Sequence, residues 1–118
     1  MAIGYLQIQI RTAHGAVPIS GAAVKIQDDR GRLVYQLTTD ENGETPMVSL
    51  ETVDKSLSLD SGYSGDPYVN YEVFAGVRGF KPVHISGVSI FDGEKAVLPV
   101  ALVPEGKESG GTGEDGRQ

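Results

Sequence analysis

The stretch Thr38-Thr39-Asp40-Glu41-Asn42-Gly43-Glu44-Thr45 decides how this chain folds. An apolar, β-prone run, Leu33-Val34-Tyr35-Gln36-Leu37, precedes it, and Met47-Val48-Ser49-Leu50 follows. Asp and Asn side chains bond to backbone nearby, and Asn-Gly tolerates positive φ, so the chain can reverse here. This predicts a β-hairpin with Gly43 at positive φ, setting the register of the strands on either side. Asp40, Asn42 and Glu44 alternate as calcium ligands do, but the turn is shorter than an EF-hand loop, and Asx bonding accounts for it.

Outward from the turn, strands follow one another. Residues 5–11 alternate cleanly, with Leu6, Ile8 and Ile10 on one face and Tyr5, Gln7, Gln9 and Arg11 on the other. That is a half-buried strand with a wet outer face. Further strands are expected at 22–27, 33–39, 45–50, 68–77, 83–91 and 96–103. The strand over 68–77 places Tyr71, Val73, Ala75 and Val77 on one face, and that over 83–91 is interrupted by a bulge near Gly87. Leu57 and Leu59 suggest a short strand or a loop anchor. No segment holds helical periodicity over three turns. The expected fold is all-β, an antiparallel β-sandwich of about seven strands. One domain over 1–104 is expected, followed by a flexible Gly- and Glu-rich tail or linker over 105–118, which has no apolar residue to offset its ordering entropy.

Composition narrows the function classes. A net charge of −6 argues against nucleic acid, which needs clustered Lys and Arg, and against an anionic membrane surface. No stretch approaches the ~20 apolar residues of a membrane helix, so no membrane insertion is expected. With no cysteine, disulfides and thiol catalysis are excluded. That suits the cytoplasm and equally many bacterial surface proteins. No signal-peptide pattern is visible at the start.

Several motifs in order resemble the carboxypeptidase regulatory-like domain, a transthyretin-like β-sandwich. They are Pro18-Ile19-Ser20-Gly21-Ala22-Ala23-Val24, Thr39-Asp40-Glu41-Asn42-Gly43-Glu44-Thr45, Tyr71-Glu72-Val73 and Arg78-Gly79-Phe80-Lys81-Pro82-Val83. Phe80 stands where the family usually has Tyr. The run Gly87-Val88-Ser89-Ile90-Phe91-Asp92-Gly93 also looks like modules of spore-formers that precede peptidoglycan-binding or cortex-lytic domains. The resemblance implies a structural, adhesive or spacing module at a bacterial cell envelope, spore or extracellular surface.

Candidate sites are sparse. His14 and His84 are the only imidazoles, and their spacing offers no zinc cluster. Ser20 or Ser86, His84 and Asp92 make a triad on paper, with no nucleophile elbow to position it. Transthyretin-like hydroxyisourate hydrolases end in Tyr-Arg-Gly-Ser, whereas this chain's last strand ends Val100-Ala101-Leu102-Val103-Pro104. Lys25 could supply the amine of an isopeptide bond, but residues 96–103 hold neither Asn nor Asp. No enzyme activity, metal or cofactor is therefore expected. Tyr63, Tyr68 and Tyr71, near a Gly-rich loop, are candidate contacts for peptidoglycan or another cell-surface glycan, or else cap a sandwich end. Tyr5, Gln7, Gln9 and Arg11 mark the first strand as a candidate assembly edge, since no Lys, Pro or bulge blunts it. The expected function is a non-catalytic structural or binding module. The alternative is a homo-oligomer, a subunit of an extracellular filament built by edge pairing or strand exchange.

Overall fold

A computed structural model describes residues 2–14, 16–54, 56 and 68–105. Among these residues seven strands form: β1 (Ala2–Thr12), β2 (Ala23–Gln27), β3 (Leu33–Thr38), β4 (Val48–Thr52), β5 (Val69–Gly76), β6 (Val83–Ile90) and β7 (Lys95–Leu102). They make two sheets, one ordered β4-β1-β7 and the other β3-β2-β5-β6. The all-β sandwich expected from the alternation is present. Leu57 and Leu59 lie outside the described residues.

The core is the inner face of both sheets. Leu6, Ile8 and Ile10 from β1 are fully buried, and they meet Val24 and Ile26 from β2, Val73 from β5 and Leu102 from β7. Each such side chain contributes about 1.5–3 kcal/mol by leaving water. Tyr71, Val73 and Ala75 share the inner face of β5 as their spacing predicts, with Val77 partly buried beyond them. The bulge near Gly87 is also present: Tyr71 faces Val88 but Val73 faces Ile85, so β6 carries an extra residue there. Gly87 takes φ +72°. The extra residue restores phase, so that Ile85, Val88 and Ile90 all turn inward.

Two expectations are corrected. The first is the hairpin. β3 and β4 lie in different sheets, and the turn between them carries the chain across the sandwich. Locally the turn is as tight as expected. Asp40 Oδ1 accepts the backbone N–H groups of Asn42 (2.9 Å) and Glu44 (3.0 Å), and Gly43 takes φ +75°. The turn then docks on β1: Ile10 N–H donates to Gly43 O at 2.7 Å, and Thr45 N–H to Ile8 O at 2.9 Å. Two buried threonines fasten this crossing. Thr39 Oγ1 accepts Ala22 N–H (2.9 Å) and donates to Ile19 O (2.7 Å). Thr45 Oγ1 accepts Ile8 N–H (3.0 Å) and donates to Pro46 O (3.1 Å). Buried polar groups must be paired, and both hydroxyls are paired twice.

The second correction concerns β1, which is the middle strand of its sheet and no edge. β4 pairs antiparallel on one side and β7 pairs parallel on the other, from Tyr5 opposite Lys95 to Thr12 opposite Leu102. Every other ladder is antiparallel. The main-chain groups of Tyr5, Gln7, Gln9 and Arg11 are therefore taken, and no second chain can add there. Gln7 and Gln9 also spend their side-chain amides on Thr45 O (3.1 Å) and Glu44 Oε2 (3.3 Å).

Candidate functional site

The strand phase of β5 turns Tyr71, Val73 and Ala75 inward, so Glu72 and Phe74 must face out. In register, Phe74 lies between Lys25 of β2 and His84 of β6. The imidazole of His84 stacks on the Phe74 ring with centroids 4.2 Å apart and planes 10° from parallel. Glu72 Oε1 lies 2.7 Å from His84 Nε2 and holds the imidazole flat. The pair is well exposed, so it orients the ring more than it stabilises the fold. Two residues along the ladder, Ala23 faces Gly76, and these small residues leave a shallow floor. Pro82 and Val83 wall it, giving a depression of about 470 Å³ shared by Lys25, Phe74 and His84. The result is a flat aromatic surface with an apolar floor, one ammonium and one carboxylate.

This surface can receive the flat face of a ring or an apolar side chain. It does not assemble a triad. His84 and Ile90 are separated by six steps of β6, about 20 Å, and Asp92 lies beyond that in the following turn. Among the described residues no group of three His, Asp or Glu side chains could hold a metal ion. His14 sits in the exposed loop after β1, where its carbonyl accepts the Thr12 hydroxyl.

The tyrosines expected to contact a glycan are not brought together as a site. Tyr63 lies outside the described residues. Tyr68 is half-buried, its ring tilted against Phe91 at 5.3 Å. Tyr71 is only 5% exposed, and its hydroxyl donates to Glu51 O at 2.7 Å. Burial pushes the Tyr71 phenol pKa up, with the Glu51 carboxylate adding to the effect. Tyr71 is thus a core residue, as its own strand phase required. Tyr35 makes the matching bond, its hydroxyl donating to Ser49 O at 2.9 Å. Two phenols from the four-stranded sheet so reach the outer carbonyls of β4. The Phe74 surface was readable from the sequence as an aromatic one step out of phase with Tyr71, Val73 and Ala75. The flat stacking of His84 depends on cross-strand register and was not.

No family model matches the chain, and no curated protein sequence does. Solved structures do resemble it. The Bacillus anthracis TIE protein aligns over 87% of this chain at TM-score 0.60 and 16% identity. Klebsiella pneumoniae 5-hydroxyisourate hydrolase aligns over 86% at TM-score 0.58 and 18% identity, and the minor pilin GBS52 of Streptococcus agalactiae over 89% at 0.59 and 12%. The chain spans 17% of the TIE protein, 46% of the pilin and 92% of the hydrolase. At such identities these likenesses speak for the fold. The chain has a transthyretin-like β-sandwich fold, one that structural domains and enzymes both use.

Proposed function

We propose that the chain is a non-catalytic spacer module of a bacterial surface protein. One observation carries this. β1 and β7 run parallel and side by side over eight registered pairs, so Ala2 and Leu102 stand at opposite poles of the sandwich. Tension applied at those two points slides β1 against β7 and loads the whole ladder at once, from the Tyr5–Glu94 bond to the Ala13–Leu102 bond. A chain that enters at one pole and leaves at the other extends a protein by the length of its sandwich. The polar groups of the crossing and of the β4 edge are used to hold the sheets together. The likeness to a minor pilin domain is in keeping with a cell-surface setting. Residues 1–104 form the module in this reading, and the Gly- and Glu-rich residues 105–118 act as a linker.

The test is single-molecule pulling in two geometries. Pulling at residues 2 and 102 should need a clearly higher force than pulling at Ala2 and Thr52, which face each other across the β1–β4 ladder and peel apart bond by bond. Equal forces would remove the mechanical basis of the reading. Turnover of 5-hydroxyisourate by purified protein would overturn its non-catalytic part. A second reading, contact with a cell-surface glycan, has the outward-facing surface of half-buried Phe74 and exposed His84 in its favour. It predicts chemical-shift changes around Phe74 on adding peptidoglycan fragments, lost in Phe74→Ala.

A further inference from the structure

Asn42-Gly43 is a reactive pair as well as a turn signal. The main-chain nitrogen that follows an asparagine can attack its side-chain amide, and glycine, lacking a Cβ, hinders that attack least. Of the two asparagines, only Asn42 precedes a glycine. Asn70 precedes Tyr71 within β5, and its side chain accepts the Ser89 hydroxyl at 2.9 Å.

The two members of the pair stand in opposite environments. Asn42 is exposed. The side-chain bonds that shape the turn come from Asp40, and the Asn42 amide has no hydrogen-bond partner among the described residues. Nothing in the turn requires an amide at this position. Gly43 is buried, and a Cβ there would lie 2.5 Å from Ile10 O, so only glycine fits. Close docking on β1 thus keeps the least hindered residue beside Asn42. The same docking withholds the nucleophile. Gly43 N–H donates to Asp40 O at 2.9 Å, while Gly43 O accepts Ile10 N–H at 2.7 Å.

We propose that Asn42 is a self-modification site controlled by the docking of the crossing on β1. When the turn lifts, hydroxide takes the Gly43 amide proton and the nitrogen attacks Asn42 Cγ. The N–Cγ bond forms, the Cγ–Nδ2 bond breaks, and ammonia leaves with a proton returned from water. Water then opens the cyclic imide at one carbonyl or the other, giving aspartate or isoaspartate. One water is consumed, one ammonia is released, and nothing is oxidised or reduced. Isoaspartate routes the main chain through Cβ and Cγ, which inserts one more carbon, a bond of about 1.5 Å, ahead of Gly43. Gly43 has no slack to absorb it against Ile10 O. The bonds of Gly43 to Asp40 and to Ile10 then cannot both re-form. The turn therefore keeps a permanent record of having opened. This goes beyond the spacer reading and stands independently of it.

The test incubates the full chain at mildly alkaline pH, folded and in urea, and reads isoaspartate at residue 42 by peptide mapping and mass spectrometry. Conversion should be about thirtyfold slower or more in the folded chain, because two main-chain bonds at Gly43 must open first. Amide hydrogen exchange at Gly43 in the same folded sample should show protection of the same size, since both reactions need that N–H released. Thr39→Val, which loosens the crossing, should speed conversion in the folded chain. Asn42→Ser should abolish it and leave the thermal midpoint unchanged. The isolated isoaspartate form should melt below Asn42→Asp, which has the same charge and composition. The proposal is overturned by equal rates in folded and unfolded chain, by no isoaspartate in the unfolded chain, or by an isoaspartate form as stable as Asn42→Asp.

Discussion

Gly43→Ala should be far more damaging than Gly21→Ala, although the two glycines share nearly the same backbone. Gly43 has φ +75° and Gly21 φ +76°. Placing an L-residue at such φ costs about 1 kcal/mol, and this part is common to both variants. The surroundings differ. A Cβ on Gly21 meets nothing within 4 Å, whereas one on Gly43 falls 2.5 Å from Ile10 O, 3.1 Å from Ile19 N and 3.2 Å from the Pro18 Cα. These are main-chain atoms of β1 and its neighbour and cannot swing aside. Relief means lifting the turn, which strains the bond from Ile10 N–H to Gly43 O (2.7 Å) and that from Ile19 N–H to Ile10 O (3.0 Å). At about 1 kcal/mol per bond, Gly43→Ala should lose about 3 kcal/mol in all and Gly21→Ala about 1. Equilibrium urea unfolding of the two variants reads the difference. In a domain of this size it corresponds to a gap of roughly 10 °C in thermal midpoint. Equal losses would mean that φ alone governs Gly43 and that the turn does not bear on β1. Gly43→Val should be worse than Gly43→Ala in the same assay.

Thr39→Val keeps the shape but strands Ala22 N–H and Ile19 O in the core; urea unfolding should show a loss of about 2 kcal/mol or more. Tyr71→Phe should cost about 1 kcal/mol by removing the donor to Glu51 O. Tyr71 also sets an alkaline limit. Its folded-state pKa lies above the ordinary value near 10, chiefly through burial, so its contribution is whole below pH ~10 and fades as pH rises through the folded pKa. Alkaline unfolding should accordingly be less steep in Tyr71→Phe. Asp28 behaves oppositely. The Arg32 backbone N–H holds its carboxyl below the ordinary value, so its contribution is present above pH ~4 and lost as pH falls through the folded pKa. Asp28→Asn should flatten the acid arm of a stability-versus-pH curve.

The elements of this fold were legible because their signals are local. Alternation over residues 5–11 placed Leu6, Ile8 and Ile10 inside. The Gly87 bulge and the positive φ of Gly43 followed from residue type and position. Which strands pair was not legible, for a physical reason. Asp40, Asn42 and Gly43 encode a chain reversal, and the same reversal serves a hairpin or a crossing between sheets. What selects the crossing is Thr39 and Thr45 bonding to Ala22, Ile19 and Ile8, contacts 17 to 37 residues apart. The central place of β1 depends on β7, far along the chain, so nearness to the start says nothing about edges. Tyr71 is a different case. Its phase with Val73 and Ala75 already placed it inside, and the nearby Gly-rich loop suggested a surface role that this phase contradicts. Phe74, on the opposite phase, is the aromatic that faces out.

The parallel ladder between β1 and β7 also dictates the order in which this protein can be finished. Tyr5 faces Lys95, so the ladder closes a loop of about 90 residues, and contacts of such separation form late and slowly. On a ribosome, β1 emerges first and its neighbour β7 last. At synthesis rates of about 5–20 residues per second, one flank of the most deeply buried strand waits roughly 5–20 s for its partner. During that interval the chain carries an unpaired Leu6-Gln7-Ile8-Gln9-Ile10 edge that the finished sandwich never shows. A nascent chain stalled before Val97 should therefore remain open to proteases and bind a holdase chaperone, and it should lose both properties once translation passes Leu102 and the last strand clears the exit tunnel.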